Sequence, residues 1–287
     1  MATCNSLLDC TEKHIYLFTK SNYDIIECPI CGYCYAKISD KELHIAKTYS
    51  DSYFFDGKDG YPNYLEEEDI LYQHGSRYAT LVKKYMSTGN VLDVGCAAGF
   101  ILKSFHDSGW NCKGIEPNDT MANYARTNLK LDVITGNIEN LNTKTQFDLI
   151  LMIQVIGHVI DLEQTIHNLS KSLKPGGYIL IESWNMDSFV ARLMGKNWHE
   201  YSPPSVINWF SNKTLSDFFH QRGFELVDIG HPVKRIKLKH AFSVLGKDLP
   251  SSSIQKRMID KLTQTLGKYT IKYPTFDLNW YIFKKST

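Results

Sequence analysis

No stretch of this sequence approaches the ~20 consecutive apolar residues that cross a bilayer, so it encodes no helical membrane span. An excess of one charge is also missing. Lys and Arg number 32 against 31 Asp and Glu, and a net charge of +1 leaves no electrostatic footprint for duplex DNA or for RNA. The opening Met1-Ala2-Thr3-Cys4-Asn5 has neither the basic start nor the apolar core of a secretory signal, and the expected location is the cytoplasm. Internal repeats and low-complexity tracts are absent. Cysteine is sparse after residue 34: of seven, only Cys96 and Cys112 lie beyond it. In a reducing compartment, the clustering of the other five points to metal or chemistry rather than disulfides.

What is present suits an ordinary globular protein. Hydrophobic residues make up 43% and charged residues 22% of the 287. That length accommodates one α/β domain of about 200 residues with a small appendage. Composition divides the chain into three. Residues 1–40 hold five of the cysteines and two short β-like runs, residues 41–88 are rich in tyrosine, end in a helical pattern and are expected to form a linker or lid, and residues 89–287 form the main domain. In the helical pattern Ile70, Leu71, His74, Tyr78, Leu81, Val82 and Tyr85 recur at spacings of three and four, a core-facing stripe.

From Asn90 onward strands and helices alternate. Val91–Val94, Asn111–Glu116, Leu131–Ile134, Phe147–Met152 and Tyr178–Glu182 read as strands, with helices between them. This alternation predicts a parallel, doubly wound sheet. Helix 213–222, strand 224–229 and strand 279–284 complete it. Residues 185–210 read as a long irregular segment. Between the last two strands, Ser253–Leu266 reads as an amphipathic helix, with Ile254, Met258, Ile259, Leu262 and Leu266 expected to face the core. The basic run from Lys234 to His240 reads as a solvated face.

A nucleotide-like ligand on such a sheet binds outside the carboxyl ends of the strands, near the point where strand order reverses. The turn Asp93-Val94-Gly95-Cys96-Ala97-Ala98-Gly99 follows the first strand, and its glycines permit tight backbone geometry close to a ligand. Glu116 ends the next strand, where a carboxylate accepts hydrogen bonds from ribose hydroxyls. Gly136-Asn137-Ile138 follows the third strand. There Asn137 offers an acceptor to an adenine amino group and Ile138 a cover for its face. A nicotinamide dehydrogenase needs G-x-G-x-x-G, whereas positions 95–100 read G-C-A-A-G-F.

Together, Val91–Gly99, Gly114-Ile115-Glu116-Pro117, Phe147-Asp148-Leu149-Ile150 and Leu173-Lys174-Pro175-Gly176-Gly177 resemble the class I methyltransferases dependent on S-adenosylmethionine (SAM). The resemblance covers about residues 90–230. It implies a Rossmann-like seven-stranded sheet with its last strand antiparallel. It also implies a SAM site on Gly95, Gly99, Glu116, Asn137 and Ile138. Asp93, Cys96 and Gln154 complete the expected donor pocket. Two departures stand out: Ala97 replaces the usual third glycine of the turn, and Asn137 replaces an acid.

Cys28-Pro29-Ile30-Cys31-Gly32 has the C-x-x-C spacing that grips one zinc from two sides. Cys4 and Cys10, separated by five residues, are the candidate second pair, with Cys34 and His14 as spare candidates. With the Tyr-rich segment and Gly195–Pro204, this module resembles a branch of the family that carries an N-terminal zinc knuckle. Members of that branch act on sugars, glycans and small natural products. The resemblance implies a structural zinc and a small-molecule or carbohydrate acceptor.

Methyl transfer from a sulfonium needs alignment, exclusion of water and, for some acceptors, a base. His158 lies just beyond the fourth strand and is the candidate base. His199 and Tyr201 are candidate acceptor contacts on a segment expected to cover the pocket. Trp184, Trp198, Tyr61 and Tyr64 are candidates for its wall. Gly157 stands where relatives often have Glu, which removes a potential metal ligand. The alternatives are a SAM-binding or interaction protein without catalysis, motivated by Ala97, Asn137 and Gly157, or a methyltransferase acting on protein or RNA.

Overall fold

The runs that read as strands are apolar on both faces, a pattern that requires cover on both sides of the sheet. In the computed structural model of this chain they take such positions: Val91, Leu92, Leu149, Ile150, Leu151, Ile179, Leu180 and Ile181 are fully buried. At about 1.5–3 kcal/mol per buried aliphatic side chain, this layer is the main stabilising block of the molecule. The structure describes residues 13–38, 44, 50–55, 63–141, 143, 145–233, 235–239, 242, 250, 253–267, 269–272 and 275–287.

Among the described residues the strands are β1 (Ile15–Lys20), β2 (Tyr23–Glu27), β3 (Cys34–Ala36), β4 (Asn90–Val94), β5 (Asn111–Glu116), β6 (Val133–Thr135), β7 (Phe147–Ile153), β8 (Leu173–Trp184), β9 (Asn208–Trp209), β10 (Phe224–Gly230), β11 (Arg235–Lys237), β12 (Thr270–Lys272) and β13 (Leu278–Lys285). The helices are α1 (Asp51–Phe55), α2 (Glu68–Val82), α3 (Phe100–Asp107), α4 (Asp119–Thr127), α5 (Leu162–Ser172), α6 (Phe189–Met194), α7 (Asn212–His220) and α8 (Ile254–Leu266).

The main sheet has seven strands in the order β10-β13-β8-β7-β4-β5-β6. β4 to β8 are parallel, and β13 runs antiparallel to both of its neighbours. The expected seven-stranded α/β sheet with a reversed last strand is therefore present. The chain starts at β4, builds outward to β6, then returns to the other side with β7, so the switch point lies between β4 and β7. Helix starts follow local chemistry. Asn118, Asp161 and Ser211 each accept from a backbone N–H three residues on, at 2.9 to 3.0 Å.

Helix α2 crosses close over α3. At Gly75 an added Cβ would lie 2.9 Å from the Ile101 Cα, so only glycine permits this approach. The close crossing brings the buried face of α2, with His74 and Tyr78, over the end of β8.

The third strand begins two residues later than its apolar run suggested, at Val133. Residues 185–210 are less irregular than expected. They contain α6 and the short strand β9, which joins β3 and completes a four-stranded sheet in the order β1-β2-β3-β9. The stripe on α8 does not face the core. Ile254 is 77% exposed and Met258 62%, and no α8 residue is buried. The cause is topological: α8 sits between the paired strands β11 and β12, an excursion outside the seven-stranded sheet. Among the described residues, no helix is long and apolar enough to cross a membrane.

The described residues do not fit a zinc centre. Cys28 and Cys34 are fully buried, Cys28 among the core residues of the main domain and Cys34 in the cluster around Trp198 and Trp209. Burial pushes the Cys31 thiol up to about 11. The His14 ring bonds the Tyr35 hydroxyl. No group of three or more His, Cys, Asp or Glu among the described residues is arranged to hold a metal. Cys4 and Cys10, the other expected ligands, lie outside the described residues. The N-terminal module is held instead by strand pairing to β9 and by apolar packing.

Candidate functional site

The turn after β4 is built around backbone that needs glycine. Gly95 has φ of 68°, and a Cβ there would lie 2.7 Å from the Val155 side chain. Gly99 has φ of 84°, with Leu131 at 2.8 Å. Ala97 also takes a left-handed φ, 46°, which strains a residue with a Cβ by about 1–2 kcal/mol. That strain is used. It turns the Ala97 N–H onto Glu116 Oε2 at 2.8 Å, while Glu116 Oε1 accepts from the Asn118 N–H at 2.8 Å.

Glu116 is 3% exposed, with no cation among its partners. Burial pushes its carboxyl up to about 7, and the two backbone N–H donors oppose that shift. Each oxygen has one protein donor and room for another. Asp93, at the end of β4, is raised well above the usual carboxylate range by burial and then by the charge of Glu116. Burial also raises the Cys96 thiol. Asn137 Oδ1 caps the turn that follows β6, accepting from the Asn140 N–H at 3.2 Å, and its amide NH2 remains for another partner. Ile138 is buried beside it.

Gly95, Glu116, Asn137, Ile138, Gln154 and His158 line one cavity of about 210 Å³. Tyr53 and Phe54 of α1, Tyr64, and Ile70, Leu71 and His74 of α2 close it from above, and Arg235 of β11 stands at its edge. Helix α1 is docked there by Asp51, which accepts from Asn118 Nδ2 and the Thr120 hydroxyl at 3.0 and 3.2 Å. The wall is mostly apolar.

Residues 67–229 match the family described as a methyltransferase domain. The chain belongs to that family. Its methyltransferase domain is also similar to ubiquinone biosynthesis O-methyltransferases from Rickettsia. The Rickettsia akari protein is 29% identical over 135 residues, 42% of this chain and 54% of that protein. The Rickettsia prowazekii protein is 28% identical over 156 residues, 49% of this chain and 60% of that protein. The chain thus spans little more than half the length of these relatives. In fold it is similar to a SAM-dependent methyltransferase from Archaeoglobus fulgidus, with a TM-score of 0.51 at 21% identity, over 77% of this chain and 99% of that one. A plantazolicin methyltransferase, solved with a desmethyl substrate analogue and S-adenosylhomocysteine (SAH), gives a TM-score of 0.52 at 16% identity, over 86% of this chain and 97% of that one. The methyltransferase domain has the Rossmann-like fold of SAM-dependent methyltransferases.

Three residues singled out in the sequence lie elsewhere or are occupied. His158 lines the cavity, but its Nδ1 meets the Ser205 carbonyl oxygen at 2.7 Å and its ring also bonds the Gln154 backbone. Burial lowers its pKa. The His158 ring therefore ties the segment around Ser205 to the end of β7. Tyr201 is 8% exposed and packs edge-on against Phe18, Trp198 and Trp209. His199 is exposed against Trp184, with Glu200 at 3.6 Å. Neither Tyr201 nor His199, nor Trp184 nor Trp198, lines the cavity, whereas Tyr64 does. Tyr61 lies outside the described residues.

Tyr53, Phe54 and α2 fall in the segment 41–88 expected as a linker or lid, whereas sequence reasoning assigned no site role to Arg235 or His74. Its one usable signal was His74, a histidine on an otherwise apolar stripe, which a core position tolerates only with a partner.

Proposed function

We propose that the chain transfers the methyl group of SAM to a hydroxyl of a small, largely apolar acceptor. The observation that carries this reading is Glu116: a buried carboxylate on the cavity wall with one backbone donor on each oxygen and capacity for one more. A ribose diol supplies that pair of donors. SAM fits the surrounding residues. Gly95 lines the cavity at the turn after β4, Ile138 offers an apolar face for adenine and Asn137 a polar edge, whereas Asp93 and Gly99, expected in the donor pocket, do not line the cavity. Cys96, expected in the donor pocket, is buried and does not line the cavity, and Gln154 lines it while its side chain donates to Glu182. When bound, SAM supplies an electrophilic methyl group on a sulfonium. The chain aligns the acceptor and excludes water.

The mostly apolar wall favours an aromatic hydroxyl over a sugar. A sugar presents many hydroxyls, each needing a partner once buried, at about 1–3 kcal/mol for any left without one. The relatives named as O-methyltransferases support oxygen as the acceptor atom. The resemblance to the zinc-knuckle branch, with its carbohydrate acceptors, keeps support only from the C-x-x-C turn. Metal analysis of the purified chain tests it, and a full equivalent of zinc would restore it.

The decisive experiment is calorimetry with SAH. Micromolar binding to the wild type, lost in Glu116→Ala, supports the donor site. Absence of SAH binding by the folded wild-type chain would remove it.

A further inference from the structure

Glu182 lies near the end of β8, fully buried, and collects donors from three side chains on two segments. His74 Nε2 of α2 lies 2.7 Å from its Oε2, the Tyr78 hydroxyl donates to the same oxygen, and Gln154 Nε2 donates to Oε1 at 2.6 Å. Gln154 takes a left-handed φ of 57° to do so, and its N–H also bonds the Glu182 carbonyl at 2.9 Å. A non-glycine residue held in that conformation over a buried carboxylate marks a place where the fold maintains strain for geometry. His74 is 6% exposed and lines the cavity, yet its Nδ1 is buried without a hydrogen-bond partner.

We infer that His74 is the general base of the reaction and that Glu182 is its positioning residue, with a phenolic hydroxyl as the acceptor. The inference rests on the methyl-transfer reading above. An ionised carboxylate only accepts, so the ring nitrogen facing Glu182 carries the hydrogen and Nδ1 keeps its lone pair. The donor-side residues lie at the ends of β4, β5 and β6. Gln154 and Glu182 lie at the ends of β7 and β8, on the side where an acceptor meets the methyl group. His158 shares the cavity, but its ring is bonded to the Ser205 and Gln154 backbones.

In the step, a bond forms between the acceptor oxygen and the methyl carbon while the carbon–sulfur bond breaks. The bonding pair stays on sulfur, and SAH leaves as a neutral thioether. The hydroxyl proton passes to His74 Nδ1, and the imidazolium rests against Glu182. Among the described residues, the charged and titratable groups around His74 include Glu182 of β8, Tyr78 and Arg77 of its own helix, and Arg235, Glu116, Glu139, His158, Tyr53 and Tyr64 on the cavity wall.

The test uses 4-nitrocatechol, whose ionisation is visible by absorbance, titrated into the SAH complex of the full chain. The bound probe is expected to ionise about one pH unit or more below its value in solution, the effect of a nearby base and its carboxylate. His74→Gln should abolish that shift while SAH affinity stays within about threefold, a change of less than about 0.7 kcal/mol. Glu182→Gln should reduce the shift, and His158→Gln should leave it intact. With SAM and the same probe, turnover by His74→Gln should fall about 10²–10⁴-fold. A shift that survives in His74→Gln overturns the inference. So does failure of the probe to bind the SAH complex, or loss of SAH binding in His74→Gln with the protein still folded by circular dichroism. Failure of SAH to bind the wild type would instead sink the methyl-transfer reading.

Discussion

The two halves of the cavity are held in different ways. The donor half, over β4, β5 and β6, is made of backbone: glycines at positive φ, N–H groups on Glu116 and a capped turn at Asn137. Its residues come from neighbouring strands and the turns that follow them. The acceptor half, over β7 and β8, is made of side chains from distant segments: α1, α2, β11, and Gln154 and Glu182 bonded across 28 positions. A backbone site tolerates few substitutions because every residue holds shape for its neighbours. A side-chain site can change its specificity one residue at a time.

This contrast predicts that donor-half substitutions disrupt both folding and binding, while acceptor-half substitutions separate them. The largest effect belongs to Gly95→Val. A Cβ at 2.7 Å from Val155, on backbone at φ 68°, should cost about 2–4 kcal/mol of stability and reduce SAH affinity at least about 100-fold. Thermal melts and calorimetry read the two effects, and unchanged affinity would break the donor half of the comparison. Next, Glu116→Ala removes the acceptor of two ribose hydroxyls. At about 1.5–3 kcal/mol for a charge-assisted hydrogen bond, SAH affinity should fall about 10- to 150-fold, with the fold retained.

The third effect is a pH dependence. The Glu116 carboxyl, held up to about 7 by burial, must be ionised to accept both hydroxyls. Ribose binding favours the charged form, so SAH affinity should be full above pH 7. It should weaken as pH falls through about 7, by up to about tenfold per pH unit. Calorimetry in buffers of different ionisation enthalpy should show proton release on binding near pH 6.5, and a flat profile would place the ribose elsewhere. A smaller effect is expected for His158→Gln, which exchanges one contact to Ser205 for a weaker one. Stability should fall by about 0.5–1.5 kcal/mol with SAH affinity unchanged. The smallest is Ala97→Gly, which relieves a left-handed alanine and should raise stability by about 0.5–1 kcal/mol, a few degrees in Tm.

Legibility follows the same division. The grouping of Gly95, Glu116, Asn137 and Ile138 around one cavity was readable because each ends a strand or follows one by a short turn, so spacing along the chain translates into position in space. His74 and Glu182 stand 108 positions apart, and nothing in either local pattern names the other. His74 read as one more member of a core-facing stripe, and Glu182 as the end of a strand. His199 and Tyr201 show the opposite case, since neither lines the cavity. Their aromatic segment suggested a pocket cover, but pairing of β9 with β3 draws Tyr201 into the packing of the N-terminal sheet. The α8 stripe shows the same limit, since period alone marks an apolar face without showing what covers it.

The sequence by itself determined the order of strands and helices, the seven-stranded class of the sheet and the glycine turn after β4. Those features depend on periodicity and on the steric demands of single residues, which are local. Only the tertiary structure decided which residues share the acceptor end. The close crossing of α2 over α3 at Gly75 brings His74 onto Glu182, and the β3–β9 pairing keeps Tyr201 away. Contacts of that kind depend on how separate elements pack, and no spacing along the chain encodes them.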